Sequence, residues 1–373
     1  MLKILFAPLQ GYTTGIYRRA HAEIFGGVDA YYAPFLRIEN GRPREKDLRD
    51  LESANIECAN ADCANAKCAD IAEGNAQFKN IREGNARDLK AREIPQIIAN
   101  SVDEFKILAD ALIAKGYTEI DFNMGCPFPM QVNRHRGAGL LNDAPTVQKI
   151  MDEIAKLSSA TNETAPANAK KTAPIKFSVK MRLGQESPDE AFALLPILNE
   201  TPLTQITLHP RLGKQQYKGA IDFKSFEKFY EECRHPLIYN GDITSVSQIC
   251  EMERRYPKLA GVMIGRGMLA KPSLAAEYKA LCSNEESSSA ETRNINGAAT
   301  PLNFFDKLLQ MHQVIFDNAC KTFQGDSQIL SHVQSFWEYL EPSVPKKIFK
   351  RLKKAGKLSE YQEVIIEMRG SRE

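Results

Sequence analysis

PQIIANSVDEFKILADALIAKGYTEIDFNMGCP (95–127) decides the fold. PQIIAN and EIDFNMG are apolar enough to be strands covered on both faces. Between them, SVDEFKILADALIAKG (101–116) sets apolar residues at helical spacing. Strand, helix and strand in so short a stretch make the crossover that joins parallel neighbours. The same beat recurs outward in KILFAP (3–8), DAYYAPFL (29–36), IKFSVKMRL (175–183), QITLHPR (205–211), PLIYNGDI (236–243) and GVMIGRGM (261–268). Eight such runs with helical stretches between them, in about 270 residues, favour an α/β fold of the (β/α)8 TIM-barrel type. A doubly wound parallel sheet is the structural alternative.

Three segments interrupt the beat. Residues 57–92 are rich in Ala, Asn and Cys, 159–173 are polar and Ala/Thr-rich, and 283–299 are rich in Ser, Asn and Glu. The first two read as insertions in barrel loops and the third as a linker. The expected organisation is a barrel over 1–282, a linker over 283–300 and an all-helical region over 301–373, where LNFFDKLLQMHQVIFDNACKTF keeps a helical period. Cys58, Cys63 and Cys68 stand in C-x4-C-x4-C spacing with no histidine near them. Most zinc sites use C-x2-4-C pairs with a second pair or histidines further on, so no metal is expected.

Composition bounds the function class. With 43% hydrophobic and 26% charged residues among 373, the chain has the make-up of a globular protein with a large core. No apolar run approaches the roughly 20 residues needed to cross a bilayer, and the first apolar stretch is too short for a secretory signal. A cytoplasmic location without membrane contact is therefore expected, with the eight cysteines as reduced thiols. The formal net charge is only +2, so affinity for nucleic acid requires a local patch. KKIFKRLKKAGK (346–357) supplies one, with seven Lys/Arg and no acid.

In a parallel barrel, chemistry gathers where the strands end. The candidates there are Ala7 and Pro8, Gln96, Asn123 and Cys126, Lys180 and Arg182, His209 and Arg211, Asn240-Gly241-Asp242, and Gly265-Arg266. Lys180 and Arg182 are two apart and share one face of their strand. A cation there needs a ligand or a counter-charge. The glycines of NGD and GRG let backbone amides approach a phosphate closely. Cys126 has Asn123, Arg134 and Arg136 close in sequence. Neighbouring cations favour a thiolate, whereas an acid must keep its proton, and the residues alone leave that open.

APLQGYTTGIYRR, DFNMGCP, RGAGLLND, VKMRLG, LHPRLGKQQYKGAIDF, IYNGDI and VMIGRGML follow one another in the order seen in the tRNA-dihydrouridine synthases, which this chain resembles. Gln10, Pro210 and the 57–92 insertion depart from that pattern. The resemblance implies an FMN-dependent barrel with a C-terminal helical domain that reduces uridine in tRNA to 5,6-dihydrouridine. NADPH would supply the electrons. Hydride would pass from FMN N5 to uracil C6, with the C5 proton from Cys126. It further implies Ala7, Pro8, Gln96, Lys180, His209, Asn240, Gly241, Asp242, Gly265 and Arg266 around the flavin. Asn123, Arg182, Arg211 and Tyr217 would face the target base or its backbone. Lys346, Lys347, Lys350 and Arg351 would meet RNA phosphates. A monomer is expected. Rival readings are an FMN barrel reductase acting on a small molecule, of the dihydroorotate or ene-reductase type, and an RNA-binding barrel without catalysis.

Overall fold

The computed structural model describes residues 1–53, 93–159, 174–287, 303–341 and 344–370. The 57–92 insertion with Cys58, Cys63 and Cys68, residues 160–173 and residues 288–300 of the expected linker lie outside them.

In chain order the strands are β1 (Lys3–Phe6), β2 (Ala30–Tyr32), β3 (Ile38–Glu39), β4 (Arg42–Pro43), β5 (Glu93–Ile94), β6 (Gln96–Ile97), β7 (Glu119–Met124), β8 (Lys176–Gly184), β9 (Leu203–Leu212), β10 (Leu237–Tyr239) and β11 (Gly261–Ile264). β3 and β4 pair as an antiparallel ribbon. The other nine form one parallel sheet in the order β5-β2-β1-β11-β10-β9-β8-β7-β6. The two ends of that order are halves of a single segment divided at Pro95. Proline has no N–H to give a ladder. Residues before it pair with β2, residues after it pair with β7, and the sheet closes on itself. The result is the (β/α)8 barrel expected from the sequence, with its third strand split.

Several strands are shorter than their apolar runs. β1 stops at Phe6, ahead of Pro8, and β11 stops at Ile264, because Arg266–Ala270 turns into a short helix. Pro34 cuts the second run, which is extended only at Ala30–Tyr32. The ribbon that follows turns on Asn40 (φ 52°) and Gly41 (φ 73°), the left-handed pair that a two-residue hairpin needs.

Alternation along the strands separates two environments. Phe122, Met124, Phe177, Val179, Met181, Ile206 and Leu208 join the core beneath the surrounding helices. Leu5, Ala7, Tyr32, Ile94, Ile238 and Met263 form a second apolar cluster inside the barrel. The helix Val102–Ala114 shows why the opening stretch folds as it does. Ser101 caps it by accepting from the Glu104 amide, and Gly116, at φ 84°, lets the chain turn away.

The helices Phe304–Thr322, Asp326–Val333, Lys346–Lys354 and Leu358–Gly370 gather around Trp337, which is fully buried and donates to Tyr361 Oη at 2.7 Å. They dock on the helix Gly15–Ile24 through Tyr17 against Phe336 and Phe25 against Phe304. Tyr339 touches Tyr12 of the loop after β1. The helix Leu274–Ser287 runs into the stretch read as a linker, since no Pro or Gly interrupts it there. No described helix is long and apolar enough to cross a membrane.

Two buried histidines make stability depend on pH. His21 bonds Tyr31 Oη at 2.9 Å and the Pro272 carbonyl at 2.8 Å, and His312 bonds Tyr361 Oη at 2.7 Å. Burial lowers the His21 pKa to about 4 and the His312 pKa to about 3. An unfolded histidine takes up its proton near pH 6.5, whereas these folded rings do not. Unfolding then binds protons, so stability is lost as pH falls from about 6.5 toward 4. The melting temperature is expected to drop over that interval, and His312→Gln is expected to flatten the drop. A melting temperature constant from pH 7 to pH 5 would contradict this.

Candidate active site

The interior of the barrel is polar on one side. Alternation turns Asp121 and Asn123 of β7 inward, with Ser178, Lys180 and Arg182 of β8 and Gln205, Thr207, His209 and Arg211 of β9. Buried polar groups cost free energy unless they bond one another, and here they do. Asp121 accepts from Gln96 Nε2 and from Ser178 Oγ, each at 2.6 Å. Gln96 Oε1 accepts from Asn123 Nδ2 at 2.6 Å. Asn123 Oδ1 then accepts the amides of Gly125 at 3.0 Å and Cys126 at 2.9 Å. A carboxylate only accepts, so it fixes which way round each amide lies. Burial pushes the Asp121 pKa up to about 6, against the pull of Gln96, Ser178 and Lys180.

Cys126 is thus held from below by Asn123, and Arg182 holds the same loop from the side. Arg182 Nε donates to the Gly125 carbonyl and Nη1 to the Leu212 carbonyl, both at 3.0 Å. Gly137 closes the third side. At φ 60°, its own Cβ would stand 2.7 Å from the Cys126 carbonyl oxygen and 2.8 Å from the Cys126 Cβ. Gly139 packs as closely on Val132, with 2.6 Å from a Cβ to the carbonyl oxygen. The two glycines of RGAGLL are there for backbone approach.

Cys126 is buried beside Phe35 and Ile98. Burial pushes its thiol up from the ordinary value, and the Phe128 amide, Arg182, Lys180 and Arg37 pull the other way without prevailing. The thiol therefore keeps its proton at neutral pH, which answers the question that the residues alone left open.

Lys180 makes no hydrogen bond or ion pair among the described residues. Burial and the charge of Arg182 lower its pKa to about 8, while Asp121 and Cys126 raise it. Thr207 Oγ1, buried on the neighbouring strand, also has no partner among the described residues. His209 is held well below its usual pKa by burial and by Arg182, Lys180, Arg211 and Arg266, so its ring is neutral. Two guanidiniums lie against the ring of Tyr217, Arg182 at 5.5 Å and Arg266 at 4.7 Å from its centre. Arg211 and Arg266 share the carboxylate of Asp242, the latter at 2.7 Å, and they hold it below the usual carboxylate range.

The fold gathers Gln96, Asn123, Cys126, Lys180, Arg182, His209, Arg211, Tyr217, Asp242 and Arg266 at the C-terminal ends of the strands. Ala7 and Gly265 meet at the same end, since a Cβ on Gly265 would stand 3.4 Å from that of Ala7, and Pro8 follows Ala7. Asn240 donates to the Met263 carbonyl at 2.7 Å, next to Gly241. Asn123, Arg182 and Arg211 commit polar atoms to the chain itself, and the first two clamp the cysteine loop. Lys346, Lys347, Lys350 and Arg351 form a separate exposed group on the helix Lys346–Lys354, with Arg351 paired to Glu367.

Asp121 and Ser178 were not among the residues singled out from the sequence. The available signal was the period-two alternation of polar residues in EIDFNM and KFSVKMRL. The arrangement can offer a proton from a neutral thiol and stabilise negative charge through unpaired Lys180 and its cationic neighbours.

A family model described as dihydrouridine synthase matches residues 70–366. Over 277 residues, the chain is 26% identical to a tRNA-dihydrouridine(16) synthase of Neisseria meningitidis serogroup A, covering 74% of this chain and 71% of that one. It is 31% identical over 174 residues to a tRNA-dihydrouridine(16) synthase of Pseudomonas syringae pv. tomato, covering 46% of this chain and 50% of the relative. Among solved structures it is similar to morphinone reductase, with 9% identity and a TM-score of 0.47 over 74% of this chain and 86% of that one. A similar likeness links it to a histamine dehydrogenase from Rhizobium, with 9% identity and a TM-score of 0.49 over 74% of this chain and 45% of that one.

Proposed function

The chain belongs to the dihydrouridine synthase family, and on that premise we propose that it reduces uridine to 5,6-dihydrouridine in tRNA, with FMN as its cofactor and NADPH as the electron source. The observation that carries this reading is a buried, neutral thiol at Cys126 set beside Lys180 and Arg182 at the mouth of the barrel. The donor set fits a flavin. Lys180 is a cation without a partner among the described residues, Thr207 Oγ1 is an orphaned buried polar atom, and neutral His209 can donate or accept. Lys180 and His209 would meet the polar edge of the ring, with Gln96 beneath. Ala7 and Pro8 would pack on it. Asn240, Gly241, Asp242, Gly265 and Arg266 would surround its ribityl and phosphate groups.

When bound and reduced, the cofactor supplies hydride to C6 of uracil. Cys126 Sγ gives its proton to C5. The Phe128 amide of the loop and the charges of Arg182 and Lys180 on β8 would stabilise the thiolate left behind. Tyr217 would meet the target nucleotide at the rim. The Asn123 and Arg182 clamps hold the backbone that carries Cys126.

RNA contact rests on the helix Lys346–Lys354, whose Lys346, Lys347 and Lys350 are exposed and have no acidic partner among the described residues. Replacing these three lysines with Gln is expected to weaken tRNA binding and to lower the slope of log K against log salt by up to about 0.7–0.9 per contact removed. An unchanged slope would place this helix outside the RNA footprint.

The reading as a whole is tested by mass spectrometry of tRNA from cells with and without this gene. Dihydrouridine is expected to be lost at one D-loop position, with position 16, named in the two relatives above, examined first. Full dihydrouridine at every position without the gene would contradict the reading.

A further inference from the structure

Phe128 is 49% exposed and Met130 is 66% exposed, and Phe128 alone among the described phenylalanines shows its ring to solvent in this way. Isolated exposed apolar residues are common and need no explanation. This one is built differently. Pro127 and Pro129 flank it, and the residue before a proline is restricted to extended backbone. Phe128 has that conformation, with φ −68° and ψ 130°. Its carbonyl accepts from the amides of Gln131 at 2.8 Å and Val132 at 3.0 Å, and Val132 rests on Gly139. Its amide faces the sulfur of Cys126. The ring is therefore presented at the rim on a rigid backbone, directly beside the proton donor.

Its surroundings are cationic. Arg134 is exposed on the same loop, and Arg182, whose Nε bonds the Gly125 carbonyl, lies with Arg266 around Tyr217. An aromatic ring set among cations suits an unpaired nucleotide, whose base stacks while its phosphate meets the charge. A uracil that reaches Cys126 must leave its stack, which exposes the face of the base next to it. We propose that Phe128, extended by Met130, is the stacking platform for the nucleotide adjoining the target uridine. This rests on the tRNA-reducing reading given above. Because the backbone is already fixed by two prolines, little conformational freedom is lost when the base arrives.

The test uses the full-length flavin-loaded protein with dihydrouridine-free tRNA, and compares Phe128→Leu, Phe128→Ala and Phe128→Tyr with the parent. Leucine keeps apolar bulk but has no π face, and tyrosine keeps the face. The ring is exposed, so flavin content serves as the check on folding. Phe128→Leu and Phe128→Ala are expected to lose about 10–100-fold in kcat/KM for tRNA, mostly through KM, with Phe128→Tyr close to the parent. The proposal is overturned if Phe128→Leu matches the parent, or if Phe128→Tyr falls as far as Phe128→Leu. A parent protein that leaves tRNA unreduced would instead overturn the reading on which the proposal rests.

Discussion

Cys126→Ala is expected to bind flavin as the parent does and to reduce tRNA about 10²–10⁴-fold more slowly, the usual range for loss of a general acid. The geometry gives the reason. The loop is held by Asn123 Oδ1 on two amides and by Arg182 on the Gly125 carbonyl, and none of these bonds involves the sulfur. Removing the sulfur therefore leaves the clamp in place and deletes only the proton. Cys126→Ser is expected to give little rescue, because a hydroxyl is a far weaker acid than a thiol. Single-turnover reduction of tRNA by the pre-reduced enzyme checks both. A Cys126→Ala protein as fast as the parent would remove this residue from the mechanism.

Gly137→Ala is expected to cost about 10²-fold in the same measurement, because a misplacement of about 1 Å in a catalytic group can cost that much. Here the sulfur remains but is displaced. The added Cβ would meet the Cys126 carbonyl oxygen at 2.7 Å, its Cβ at 2.8 Å and its amide nitrogen at 3.0 Å, and Gly137 has a φ of 60° that other residues resist. Something must shift, and the nearest movable part is the cysteine loop. The circular dichroism spectrum is expected to stay that of the parent, and the rate to fall with kcat rather than with KM. A Gly137→Ala protein with parental kcat would show that the close approach of these two loops does not set the position of Cys126.

Much of the frame was legible in the sequence. The strand runs placed Cys126, Lys180, His209 and Gly265 at one end of the barrel because alternation and strand direction are local properties. What escaped depends on partners far apart in the chain. The resemblance points Asn123 and Arg182 at the substrate, and in the fold both also hold the Cys126 loop. That becomes visible only when Gly125, Leu212 and Gln96 are brought beside them. Asp121 looks like any polar residue in EIDFNM until closure at Pro95 sets Gln96 against it. The ionisation of Cys126 turns on burial against several cations, a balance that spacing does not express. The Asn40-Gly41 turn is a different case, since that dipeptide is a strong local hairpin signal and lies just beyond the DAYYAPFL run (29–36).

The central claim is that this barrel passes reducing equivalents from a flavin to tRNA. The most direct measurement mixes the protein, reduced by NADPH without oxygen, with dihydrouridine-free tRNA, following flavin absorbance and counting dihydrouridine by mass spectrometry. The expected result is reoxidation of the flavin on mixing, with one dihydrouridine formed for each flavin reoxidised. A protein that carries no flavin, or whose reduced flavin stays reduced in the presence of tRNA, would contradict the account.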